Sequence, residues 1–124
     1  MQLEHVNLTV ADVERSVAFY GRLLGAEVRW RGTTTNGKPA VHIGGADWYL
    51  ALFEGEPAPV PIDYDRVGYN HFGVVVDDLD TARRTLAELG IDIHYEPEYD
   101  PGRRVYFLDP DGYEVELVEY AAKV

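Results

Sequence analysis

Residues 3–10 alternate between apolar and polar. Val6, Leu8 and Val10 fall on one side of an extended chain and His5, Asn7 and Thr9 on the other, as in a strand with one face on a core. From Asp12 the period lengthens. Val13, Val17, Tyr20, Leu23 and Leu24 recur at helical spacing, with Asp12 placed to cap the helix and Gly25 to stop it. Glu27–Trp30 reads as a second strand, Asn36-Gly37 as a hairpin turn, and Ala40–Ile43 and Trp48–Phe53 as two more strands joined at Gly44-Gly45.

The order then repeats. A segment carrying Pro57, Pro59 and Pro61 forms an extended linker at about 56–67. His71–Val76 reads as a strand, and Asp78 caps a helix carrying Leu79, Ala82, Leu86 and Leu89 up to Gly90. Ile91–Tyr95 and Arg104–Leu108 follow as strands. Asp109-Pro110-Asp111-Gly112 is a tight turn before the closing strand Tyr113–Tyr120. The two halves align directly: His5 falls on His71, Leu8 on Val74, Val10 on Val76, Asp12 on Asp78 and Ser16 on Ala82. A self-match spanning a strand, a turn and a helix indicates duplicated architecture. The expectation is one α+β domain over 1–124, with module one at about 1–55 and module two at about 68–124.

The 124-residue length suits one compact domain with its own core. Without Cys, neither a disulfide nor a thiolate metal site or thiol nucleophile is possible. No apolar run approaches the roughly 20 residues needed to span a bilayer, and the N-terminus lacks a signal-peptide pattern, so a cytoplasmic protein is expected. A net charge of −11 opposes nucleic acid and anionic membrane surfaces as partners, while suiting cationic small molecules or metal ions.

The chemistry follows from face parity. His5 and His71 both lie opposite the apolar positions of their strands, and Glu114 and Glu116 lie opposite Val115 and Leu117. If the apolar faces pack against the helices, His5, His71 and Glu116 face one concave surface. Two imidazoles and a carboxylate on rigid strands form a facial ligand set for a divalent metal, with Fe, Mn, Ni and Zn all compatible. An ordinary solvated histidine or glutamate satisfies the same pattern, so spacing alone leaves both readings open.

The motifs narrow it. Leu3-Glu4-His5-Val6 through Val10-Ala11-Asp12, the helix Ser16–Tyr20 ending at Leu23-Leu24-Gly25, Tyr69-Asn70-His71, and the run Tyr106–Leu117 containing Asp109-Pro110-Asp111-Gly112 together resemble the vicinal oxygen chelate superfamily. That superfamily includes glyoxalase I, fosfomycin-resistance transferases, extradiol dioxygenases and bleomycin-binding proteins. The resemblance implies two tandem βαβββ modules forming a cupped, barrel-like mixed sheet with helices on its outer face. It implies metal ligands at His5, His71 and Glu116, and a homodimer whose sites are shared between chains. It also implies a small oxygenated substrate chelated by the metal. Tyr69, Tyr106 and His42 are then candidates to donate a hydrogen bond or shuttle a proton. Asn7, Thr9, His42 and Tyr49 would contact the substrate.

Two departures bear on the chemistry. Glyoxalase I enzymes carry a further glutamate ligand on the fourth strand, where this chain has Ala51; Glu54 has the wrong parity to replace it. Fosfomycin transferases hold a phosphonate with basic residues, where this chain has Glu96 and Glu98, leaving Arg103 and Arg104 to compensate. The expected activity is therefore dioxygenase, lyase or thiol-transferase chemistry at a divalent metal. The alternative is a non-catalytic, drug-sequestering protein of the bleomycin-binding type.

Overall fold

The structure, a computed structural model, describes residues 1–97 and 101–120. The chain divides into two compact units, Met1–Ala58 and Pro59–Val124. The first contains β1 (His5–Val10), α1 (Val13–Leu24), β2 (Glu27–Thr33), β3 (Pro39–Gly44) and β4 (Tyr49–Glu54). The second contains β5 (His71–Val75), α2 (Leu79–Glu88), β6 (Ile93–Tyr95), β7 (Arg103–Leu108) and β8 (Glu114–Glu119). Each unit is a βαβββ module with a four-stranded mixed sheet, the α+β architecture expected from the pattern. The strand orders are β1-β4-β3-β2 and β5-β8-β7-β6. In each, the first strand runs parallel to the last and the remaining pairs are antiparallel.

Within each unit the helix covers one face of the sheet. α1 packs on β3 and β4, and α2 on β8. The stripe that α1 buries is Val13, Ser16, Phe19, Tyr20 and Leu23. This corrects the sequence reading in part. Val17 and Leu24 are only partly covered, and the stripe is turned toward Ser16 and Phe19. Apolar spacing locates a face to within one residue on either side; the sheet it meets selects the contact line. α2 buries Leu79, Ala82 and Leu86 as expected, while Leu89 caps the helix end and is only partly covered. Leu79 and Leu86 have no exposed surface, and each is worth roughly 2 kcal/mol of burial.

The two helix starts are secured alike. Oδ1 of Asp12 accepts from the backbone N–H groups of Glu14 and Arg15, and Oδ1 of Asp78 from those of Asp80 and Thr81. A carboxylate from the last strand adds a third bond at each helix start. Glu54 accepts from the N–H of Val13 at 3.2 Å and Glu119 from that of Leu79 at 2.9 Å. Glu54 thus works on the helix side of its sheet, as its parity requires. α1 stops at Gly25, whose φ of +67° is a left-handed conformation that side chains resist. No helix among the described residues is long and apolar enough to cross a membrane.

Ser16 is fully buried, and its hydroxyl has no hydrogen-bond partner among the described residues. The equivalent position of the second unit is Ala82. An unpaired buried hydroxyl carries an uncompensated desolvation cost, and alanine is the better helix former. Ser16→Ala should therefore stabilise the protein by about 1 kcal/mol, read as a higher urea midpoint at unchanged slope; a lower midpoint would show that the hydroxyl is satisfied.

Candidate metal and substrate site

Register decides which polar side chains meet. In the second unit His71 lies level with Glu114 on the neighbouring strand, and Gly73 level with Glu116. Tyr106 lies level with Glu116 from the other side, followed by Tyr95 on β6. Gly73 places no side chain over Glu116, and the imidazole of His71 reaches across: Nε2 sits 3.0 Å from Oε1 of Glu116. The other carboxylate oxygen accepts from Nη1 of Arg104 at 2.7 Å, and the Tyr106 hydroxyl also bonds this carboxylate. Tyr106 meets the His71 ring edge-on at 5.2 Å. Burial pushes the Glu116 carboxyl up, but the bonds from Arg104, Tyr106 and His71 together outweigh it and hold the group below its usual range.

Glu114 has the same parity, and the sequence reading missed its part in the site. Each of the two glutamates is only 7% exposed, so both require partners. Oε2 of Glu114 is bonded to Nε2 of His94 at 2.6 Å, and Oε1 accepts from the Tyr64 hydroxyl. Tyr64 is also 2.9 Å from Nδ1 of His71. Burial, then the bond to Glu114 and the charges of both glutamates, push the Tyr64 hydroxyl up to about 12. His94 reaches Glu114 because the ladder between β6 and β7 slips one residue between Ile93 and Tyr95. Such an irregularity re-aims a side chain. Neither this slip nor the reach of Tyr64, from the segment before β5, leaves a trace in period-two alternation.

The first unit repeats this frame with different chemistry. His5 is level with Tyr49, and Asn7 with Ala51, which in turn faces His42 and then Trp30. Ala51 therefore occupies the position that Glu116 holds in the second unit. The His5 ring stacks on Tyr49 at 4.7 Å, Tyr49 on His42 at 4.6 Å, and His42 lies 4.7 Å from Trp30. The ladder slips here too, between Val28 and Trp30, and the guanidinium of Arg29 lies over the Tyr49 ring at 4.7 Å. Oε1 of Glu4 is 2.9 Å from Nδ1 of His5 and 3.1 Å from the Tyr49 hydroxyl, bonds that hold the Glu4 carboxyl below its usual range. Burial, then the positive charges of His5 and Arg29, push His42 down and favour its neutral ring. His42 sits on an interior strand.

Other candidates are placed differently. Asn7 donates to the carbonyl oxygen of Ala51 at 2.8 Å, so part of its hydrogen-bonding capacity serves the sheet. The Thr9 methyl packs over Gly55. The groups that act on Tyr69 after its own burial are Tyr113 and Asp109, beside the turn that precedes β8, rather than the His71 cluster. Arg104 donates to Glu116 and to the Pro101 carbonyl, and Arg103 pairs with Glu119 and Asp80. Both arginines are thus engaged with carboxylates of their own unit. Glu96 pairs with Arg83 at 2.5 Å, and Glu98 lies outside the described residues. Among the described residues, no three His, Asp or Glu side chains are gathered to hold a metal ion. The second unit contributes a converging imidazole–carboxylate pair, whose donor chemistry suits a borderline divalent cation.

Residues 2–117 match the family model described as the Glyoxalase/Bleomycin resistance protein/Dioxygenase superfamily. The chain is 30% identical over 115 residues to glutathione transferase FosA of Serratia marcescens, covering 93% of this chain and 78% of that protein. It is 28% identical over 131 residues to lactoylglutathione lyase of Haemophilus influenzae, covering 96% and 93%. Among solved structures, a mutant of the fosfomycin resistance protein FosX from Listeria monocytogenes, complexed with Mn(II) and 1S,2S-dihydroxypropylphosphonic acid, superposes with a TM-score of 0.76. It is 22% identical, with 99% of this chain and 94% of that one covered.

Removing Arg104 would leave Glu116 buried without its guanidinium. Arg104→Gln should cost about 3 kcal/mol of stability, measured by urea unfolding at neutral pH. A change under about 0.5 kcal/mol, the range of ordinary surface substitutions, would mean that water satisfies the carboxylate.

Proposed function

The chain belongs to the glyoxalase/bleomycin resistance protein/dioxygenase superfamily, and from that premise we propose that it is a metal-dependent enzyme joining a low-molecular-weight thiol to, or rearranging its adduct with, a small oxygenated electrophile. The observation that carries this reading is the approach of His71 Nε2 to Glu116 Oε1 at 3.0 Å on two hydrogen-bonded strands. The two groups, which share a hydrogen here, are of the types that ligate one divalent cation. With His5 they would make a two-histidine, one-carboxylate set. His5 would be brought to the pair by a homodimer with shared sites.

Support for thiol chemistry over dioxygenase chemistry comes from the relatives, whose names describe a glutathione transferase, metallothiol transferases and a lactoylglutathione lyase. Ala51 leaves the first unit without the additional glutamate, which favours transfer over glyoxalase-type isomerisation. Bound to these residues, a divalent ion supplies Lewis-acid polarisation of a substrate oxygen. Around it, Arg104 and Tyr106 keep the Glu116 carboxylate ionised and fixed. The His42 ring, whose burial disfavours protonation, and the Tyr49 oxygen, whose hydrogen goes to Glu4, would offer hydrogen-bonding positions to substrate from the first unit. Tyr106, edge-on to His71 with its hydrogen given to Glu116, would offer substrate an accepting oxygen.

One observation favours a second reading, a protein that sequesters a planar cationic drug. The rings of His5, Tyr49 and His42 stack in sequence, with Trp30 tilted against His42, in a continuous aromatic surface of a chain of net charge −11. Such surfaces bind flat, positively charged molecules without chemistry.

Protein purified without chelator should carry close to one divalent metal per chain, and His5→Ala, His71→Ala and Glu116→Ala should each lower the affinity at least tenfold by elemental analysis and titration. Unaltered metal content in all three variants would remove the ligand assignment. Metal-dependent consumption of glutathione or another small thiol, screened against epoxides and 2-oxoaldehydes, separates the enzyme from the sequestering protein. Oxygen uptake with catechols would redirect the reading to a dioxygenase.

A further inference from the structure

A cavity of about 310 Å³ lies in the first unit, walled by Gln2, Glu4, Arg29, Ala46 and Asp47. That volume is at the small end for ligand sites, which run from roughly 300 to 1,000 Å³. Hydrogen bonds to the main chain hold its walls together. Nε2 of Gln2 donates to the Asp47 carbonyl at 3.1 Å, and the N–H of Tyr49 to the Glu4 carbonyl at 3.0 Å. The Trp48 carbonyl accepts from the N–H of Gly45 at 3.0 Å and from Nη1 of Arg29 at 3.1 Å. Gly44 admits this turn, because a Cβ there would run into the Trp48 carbonyl oxygen.

The charges in the cavity are of both signs and only partly used. Arg31, Arg83, Arg103 and Arg104 are each paired with a carboxylate. Arg29 instead lies over the Tyr49 ring, and among the described residues its remaining N–H groups have no hydrogen-bond partner. The Asp47 carboxylate likewise has neither a hydrogen bond nor an ion pair among the described residues. We propose that this cavity binds a zwitterionic α-amino-acid group, its carboxylate taken by Arg29 and its ammonium by Asp47 and the amide oxygen of Gln2. Simpler ligands fit the charges less well. A bare anion would face Glu4 and Asp47 in a chain of net charge −11, and a bare cation would face Arg29. The planar fork of an arginine suits a carboxylate. Glu4 is shared between the cavity wall and His5, so the group would be held beside that proposed ligand. That it is the amino-acid end of the thiol substrate rests on the reading above; the preference for a zwitterion does not.

The test uses the full chain as purified and three probes without a free thiol. These are S-methylglutathione, its N-acetylated form, which lacks the ammonium, and its 4-aminobutyryl analogue, which lacks the α-carboxylate of the glutamyl end. In titrations followed by nitrogen-15 spectra, S-methylglutathione should shift the Ala46 and Asp47 amides and the Arg29 Nε–H. It should bind about tenfold more tightly than either other probe. In Asp47→Asn its advantage over the N-acetylated probe should vanish while its advantage over the 4-aminobutyryl probe remains; Arg29→Gln should give the converse. Both side chains are exposed, so neither change threatens the fold, and general loosening would not produce the crossed pattern. Equal affinity for the three probes, or shifts confined to other residues, would overturn the proposal. The crossed pattern in a protein that consumes no thiol would uphold the cavity and remove the thiol reading. Metal-dependent consumption of glutathione with KM unchanged in both variants would keep the thiol reading and overturn the cavity as its subsite.

Discussion

Two carboxylates buried two residues apart on an interior strand set the terms for the second unit. Glu114 and Glu116 share a face of β8 by period-two alternation, and neither could remain there ionised without partners. The surrounding polar residues answer that requirement. Arg104, Tyr106 and His71 converge on Glu116, while His94 and Tyr64 converge on Glu114. The proposed metal pair is therefore part of a hydrogen-bonded network that also organises β5, β6, β7 and the segment leading into β5. Precision at His71 and Glu116 comes from the groups behind them.

The first unit shows what the same backbone does without those carboxylates. Tyr49 stands where Glu114 stands, Ala51 where Glu116 stands, and His42 where Tyr106 stands, as the matching strand registers require. Even the slipped residue recurs, Arg29 over Tyr49 in one unit and His94 against Glu114 in the other. Ionic pairing is replaced by stacked rings, with a single carboxylate, Glu4, at the edge beside His5. Duplication supplied two equivalent frames; one carries acid–base pairs, and the other a stacked aromatic surface with the remaining histidine. In both, the helix side kept the same device, a glutamate at the end of the last strand bonded to the first N–H of the helix.

Much of this was legible in the residues themselves. Alternation in β1, β5 and β8, the capping aspartates and Gly25 follow from local stereochemistry, and the repeat follows from comparing the chain with itself. The sides on which His5, His71 and Glu116 lie came from parity, which is a property of one strand at a time. By itself the sequence determined the order of elements, the face each strand offers and the chemical types available on it. Tertiary structure alone decided which of those side chains meet, because strand register, a slipped pair and the approach of a preceding segment are relations between distant stretches. Glu114 looked like an ordinary solvated acid and Arg104 like a spare cation until β8 was placed between β5 and β7. The rotation of α1 toward Ser16 and Phe19 has the same cause: periodicity defines a stripe, but the surface it packs against selects which edge is buried.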